Sequence, residues 1–255
     1  MTGPVSKFKG AELKLQRAKH HIEDFVTQAE ALYNREGRRL STHDDAHTRQ
    51  RTLIAKINTA VPDHFPLIIG DAVHNLRSAL DHMTWDILRP HGPVPDKVQF
   101  PFCKRAEGFE SVLTNRQIKV AGEEIAQKFR DLKPYPGGND ILYGLHVLDV
   151  TDKHELIVPV WSRLAIDRLD ISDVDPSVTN FIIENTAFDL LKDNRIAIWR
   201  YDPAVPWRDP VNPKQIDVAI HILFRKDQPF GGRFVPTVLR EMAVEVERIL
   251  GVFSN

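Results

Sequence analysis

A chain of 255 residues with 34 Lys+Arg against 35 Asp+Glu carries a formal net charge of -1. That balance argues against a surface coated in basic charge for bulk nucleic-acid binding, while leaving room for a local basic site. One cysteine, Cys103, rules out a disulfide framework and a cysteine-based zinc finger, and no apolar run reaches the roughly 20 residues of a membrane span.

Met1 to Lys7 has neither an apolar core nor a cleavage pattern, so it does not read as a signal peptide, and the cytoplasm is the expected location. Phe8, Ala11, Leu15, Ala18, Ile22, Val26, Ala29 and Leu32 then recur at steps of three and four. This predicts one long amphipathic helix from about Ser6 to Arg35, with Ser6 as N-cap and Gly37 as stop. Gly37 to Gln50 is polar and reads as a loop, and Arg51 to Thr59 as a short strand. A second helix is expected from about Pro66 to Leu88, ending before Pro90, followed by the proline-rich connector His91 to Pro101. Short helices follow at Ala106 to Leu113 and Ala121 to Lys133. A sharp break at Pro134 to Gly138 precedes a helix capped by Asn139 or Asp140 and running to Thr151.

Beyond His154 the period changes. Glu155 to Trp161, Asn180 to Phe188, Arg195 to Tyr201 and Gln215 to Arg225 read as strands, with Lys192-Asp193-Asn194 as a hairpin turn between the second and third. In the last strand Ile216, Val218, Ile220, Ile222 and Phe224 place one face in a core. A helix from Val235 to Phe253 closes the chain. Helices, then strands, then a helix, with no alternating βαβ pattern, give the α+β class. The expected architecture is a helical bundle (about 1–153 plus 235–253) with an antiparallel sheet from the C-terminal half (about 154–226), integrated as one domain.

Chemistry concentrates on the second helix. Leu76, Leu80, Met83 and Ile87 gather on one side; His74, Ser78, Asp81 and Trp85 gather on the other, flanked by Arg77 and His82. An exposed helix face ordinarily carries Lys and Glu. This one carries His, Asn75, Arg, Ser and Asp instead, groups that hydrogen-bond, titrate near neutrality or bind anions. Arg77 and Asp81 stand at the spacing of an ion pair. A second cluster, His146, Asp149, Asp152, Lys153 and His154, ends the fourth main helix. Its aspartates oppose the helix dipole there and call for a cation, for which Arg77 is the candidate.

The phrase Gly70-Asp71-x-x-His74-Asn75-Leu76-Arg77-Ser78-Ala79-Leu80-Asp81-His82, followed by Leu148-Asp149-x-x-Asp152-Lys153-His154, resembles an uncharacterised group of bacterial and phage proteins. The resemblance runs over about Ile68 to Val158 and takes in Phe100-Pro101-Phe102 and Lys133-Pro134-Tyr135. It implies a shared fold rather than an activity. Arg77, four intervening residues and His82 also resemble the Arg-x4-6-His motif of HEPN-domain proteins, many of them metal-independent endoribonucleases built on a dimerising helical bundle. That resemblance implies His82 as the acid/base group and Arg77 as the phosphate-binding group. His74, Asn75, Ser78, Asp81, Asp149, Asp152 and His154 would support them, with RNA as partner, a homodimer as the working form, and neither metal nor cofactor. Proton transfer by histidine and bidentate phosphate binding by arginine are the chemistry such a site needs.

Two other readings stand beside it. His74, Asp81 and His82, with Asp71, Asp149, Asp152 or His154, offer imidazole and carboxylate ligands for a metal-dependent enzyme. Alternatively the cluster is a structural lock in a binding or interaction protein, with Arg77 and His82 satisfied by Asp149 and Asp152. His43 and His47 lie in a segment read as a solvated loop. Ser78 lies inside a helix with no Gly-x-Ser-x-Gly elbow, so a standard serine hydrolase is not expected. No nucleotide-binding fingerprint occurs, and Cys103 reads as a small buried hydrophobe.

Overall fold

The computed structural model describes residues 6–35, 39–45, 50–56, 60–93, 98–157, 159–170, 182–189, 195–201 and 217–254. The chain is α+β and divides into two compact units, one of residues 1–26, 63–158 and 226–255, the other of residues 27–62 and 159–225.

The first unit is helical. Its elements are α1 (Lys9–Arg35, whose last residues belong to the second unit), α2 (Phe65–Leu88), α3 (Phe109–Asn115), α4 (Glu123–Leu132), α5 (Asp140–Asp152) and α6 (Val235–Ser254). The apolar stripe of α1 buries Phe8, Ala11, Leu15, Ala18 and Ile22. It continues through Phe25, whose ring meets Phe65 at the start of α2 edge-on, with centroids 5.1 Å apart. Lys7 Nζ donates to Phe253 O, Lys19 pairs with Glu247 and Arg240 with Glu23, so α1 and α6 run antiparallel. Pro66 sits in the first turn of α2, where a missing N–H costs nothing. Leu76, Leu80, Met83 and Ile87 are all buried, as their spacing requires, and Ile69, Ala72, Val73 and Ala79 widen that face. α2 is therefore the central element, packed on α5 and α6. Each large side chain buried there stabilises the fold by about 1.5–3 kcal/mol.

The α2–α5 interface depends on a glycine. A Cβ at Gly70 would lie 2.5 Å from both Asp152 carboxylate oxygens. A second close approach holds the loop before α6. Phe230, at φ +62°, lies against Gly144 of α5, where a Cβ would stand 2.1 Å from the ring edge. A positive φ is uncommon for an aromatic residue, and the ring keeps its place only because Gly144 has no side chain. Gly144→Ala is expected to lower the unfolding free energy by about 2–3 kcal/mol through overpacking. Urea unfolding measures it, and an unchanged midpoint would show that the ring moves freely.

The second unit holds the strands. β1 (Arg39–Asp45), β2 (Gln50–Lys56) and β5 (Arg195–Tyr201) form one antiparallel sheet in the order β1-β2-β5. β3 (Pro159–Asp170), β4 (Ile182–Asp189) and β6 (Asp217–Phe224) form another in the order β4-β3-β6. The segment read as a loop supplies β1, paired from Arg39↔Lys56 to Asp45↔Gln50; its Ser, Thr, His and Asp gave no apolar alternation to read. His43 is exposed within β1, and His47 falls outside the described residues. The hairpin expected between β4 and β5 does not form, since β4 pairs with β3 and β5 with β2; Lys192 to Asn194 also lie outside the described residues. At the end of β6, Ile222, Leu223 and Phe224 are all buried, so both faces are covered there.

Candidate functional site on α2 and α5

The polar residues of α2 divide into two groups. The inner group centres on Arg77, whose side chain is 7% exposed. Its Nη1 donates to Asp81 Oδ1, one turn on, and its guanidinium carbon lies 4.6 Å from the centre of the Phe102 ring. Asp81 Oδ1 also accepts the backbone N–H of Phe100 at 2.6 Å. Arg77 and Asp81 thus fasten to α2 the Phe100-Pro101-Phe102 segment, a tight turn in which the Phe102 N–H donates to the Phe100 carbonyl at 2.9 Å. The expectation that Arg77 pairs with Asp149 or Asp152 is corrected: Asp81 takes it, being on the same helix at i+4.

His146 on α5 completes this inner group. Its ring stacks on Phe102 at 4.5 Å with an interplanar angle of 7°. Burial first, and then the charge of Arg77, pushes its pKa from 6.5 down to about 4. A histidine kept neutral in the fold but free to protonate when unfolded destabilises the fold in acid. Its contribution is full above pH 6.5 and is lost as the pH falls to about 4. The wild type is expected to lose about 2 kcal/mol over that window, allowing for partial solvent screening. Urea melts of His146→Phe should show a flatter dependence, and identical profiles would refute the assignment.

The outer group faces solvent. His74 Nδ1–H donates to Asp149 Oδ1 at 3.1 Å, with the imidazole 54% exposed and the carboxylate 4% exposed. Lys153 Nζ donates to the other oxygen, Oδ2, at 2.6 Å. Ser78 Oγ–H donates to His74 Nε2 at 3.4 Å. Asn75 lies beside them, its Nδ2 bonded to the Asp71 carbonyl and its Oδ1 accepting from Lys14 Nζ of α1 at 3.3 Å. Asp149 therefore meets its expected need for a cation with Lys153 and with the His74 N–H.

Asp152 lies against Gly70, accepts the Ile157 backbone N–H, and is held above the usual carboxylate range by burial and by Asp149 and Asp71. His154 is exposed in the turn after α5. His82 is exposed on a third side of α2, where a Cβ at Gly10 of α1 would lie 3.0 Å from its Nδ1. The structure brings His74, Ser78, Asp149 and Lys153 together, Asn75 with Lys14, and Arg77 with Asp81; within one chain it does not bring Arg77 and His82 into one cleft. Five residues span about 140° of helix rotation, which explains the divergence. Trp85 is 41% exposed with Arg89 beside its ring.

Sequence reading missed Phe102, His146 as its stacking partner, and Lys14. The Phe-Pro-Phe run was the available signal for that segment, since proline restricts the backbone of Phe100 before it; Lys14 had none. Cys103 is half-buried and donates to the Arg105 carbonyl. Among the described residues no group of three or more His, Cys, Asp or Glu is arranged to hold a metal, and no helix is long and apolar enough to cross a membrane. No family model, curated protein or solved structure matches the chain.

Proposed function

We propose that the protein is a metal-independent endoribonuclease whose proton-transfer group is His74. The observation that carries this reading is the exposed imidazole bonded through Nδ1 to the buried Asp149 carboxylate. That bond fixes the ring and its tautomer and leaves Nε2 as a base at the surface. RNA supplies its own nucleophile, the 2′-hydroxyl, so the protein must provide only a base, an acid and a cation for the phosphate. His74 takes the 2′-hydroxyl proton and returns it to the leaving 5′-oxygen. Lys153, on the other oxygen of Asp149, and Lys14, on Asn75 next in the chain to His74, offer the positive charge.

This reading moves the acid/base role suggested by the HEPN resemblance from His82 to His74, because Arg77 is turned inward to Asp81 and His82 lies against α1. Purified protein is expected to cut single-stranded RNA in EDTA, leaving 2′,3′-cyclic phosphate ends. RNA left intact would remove the ribonuclease reading. A second reading, a non-catalytic binding protein in which the cluster is a lock, is favoured by the burial of Arg77 and its contacts with Asp81 and Phe102. Intact RNA together with a large loss of stability in Arg77 variants would select it.

A further inference from the structure

Four hydroxyls inside the helices of this protein bond back to their own chain, whereas Ser78 bonds across to a histidine. Thr84, Thr114, Thr151 and Ser254 each donate to the carbonyl oxygen four residues earlier, at 2.7–3.0 Å. That is the ordinary resting place of a helical hydroxyl. Ser78 instead donates to His74 Nε2, and His74 donates onward to the buried Asp149. Hydroxyl, imidazole and buried carboxylate thus stand in the order of a serine nucleophile, its base and the group that orients the base. Such a set is recognised by geometry and roles rather than by chain order or fold. The missing Gly-x-Ser-x-Gly elbow removes one known way of presenting a serine, not the chemistry.

We propose that Ser78 is a nucleophile for acyl transfer from carboxylic esters, activated by His74 and positioned through Asp149. Ser78 Oγ forms a bond to the ester carbonyl carbon while its proton passes to His74 Nε2. The C–O bond to the alcohol breaks, and His74 gives that proton to the departing oxygen. Water then attacks the acyl-serine, again passing its proton to His74, which returns it to Ser78 Oγ as the acid leaves. In mid-helix no backbone N–H is free to meet the oxyanion, so a side-chain cation must do so. Lys14 Nζ, held at Asn75 Oδ1 three residues before Ser78 on the adjoining surface, is that cation. The inference shares the His74–Asp149 geometry with the proposed function but does not depend on RNA being the substrate.

The test uses p-nitrophenyl acetate on the full chain. Wild type is expected to release a burst of p-nitrophenol and to carry an acetyl group on Ser78 by peptide mass mapping. Ser78→Ala removes both, and His74→Ala slows acetylation by about a hundredfold or more. Ser78→Cys supplies a check independent of turnover. Its iodoacetamide alkylation at neutral pH should be about tenfold faster than in Ser78→Cys with His74→Ala, because the imidazole withdraws the thiol proton. Acetylation confined to lysines, or equal alkylation with and without His74, overturns the proposal. RNA cleavage in EDTA is scored separately, so an adduct on Ser78 with intact RNA defeats the ribonuclease reading alone, and cleaved RNA with no adduct defeats this one alone.

Discussion

Replacing Arg77 by alanine is expected to lower the unfolding free energy by about 3–5 kcal/mol, the cost of removing one partner from a buried ion pair. Two losses combine. Asp81 keeps its charge but loses the guanidinium, and since its side chain is 30% exposed, water recovers part of that cost. The Phe102 ring loses the cation 4.6 Å from its centre, an interaction worth about 2 kcal/mol when desolvated. The estimate therefore sits at the lower end of the range. Asp81→Asn should cost less, because its side-chain oxygen can still accept the Phe100 N–H. Urea unfolding of both variants provides the check. A loss below about 1 kcal/mol for Arg77→Ala, the range of exposed pairs, would mean that Arg77 does not fasten the Phe100–Phe102 segment.

His74→Ala is expected to do the opposite, costing only about 1 kcal/mol of stability, because Asp149 loses one hydrogen bond but keeps Lys153 on its other oxygen, while lowering RNA cleavage. General acid–base groups contribute about a hundred- to ten-thousandfold, and a base oriented by a carboxylate belongs in the upper part of that range. Half of the imidazole already faces water and its removal opens no cavity in the core, so the separation of activity from stability is sharp. A variant that loses about 3 kcal/mol or more together with its activity would mark His74 as part of the lock instead.

The helical half of the fold was legible because its signals are periodic and local. Leu76, Leu80, Met83 and Ile87 stood at helical spacing and are buried; Asn139 stood before an apolar run and caps α5, accepting the Leu142 N–H at 3.0 Å. The α6 stripe of Leu239, Met242, Val246 and Ile249 likewise sits in the helical core. Five of the six described strands were legible in the sequence, and their pairing was not. β5 pairs with β2, distant in sequence, and nothing local in Arg195 to Tyr201 records that choice. β1 was invisible because its polar side chains take strand form through the ladder with β2 rather than through their own preference.

At the site, helix rotation separated the faces correctly, but which carboxylate meets which cation depends on how α5 lies on α2. Gly70 fixes that approach by letting Asp152 against the α2 backbone, which sets Asp149 beside His74 rather than Arg77. The glycine was part of the quoted motif; its meaning needed the second helix. The near-neutral composition hid two neighbouring clusters of different kinds, one closed around Arg77 and one open around His74.

The central claim is that the open cluster carries the chemistry, and the most direct measurement compares His74→Ala with His82→Ala in single-stranded RNA cleavage in EDTA. The account expects His74→Ala to lose activity by about a hundredfold or more, and by a margin well beyond His82→Ala. Loss in His82→Ala with His74→Ala as active as wild type would contradict it.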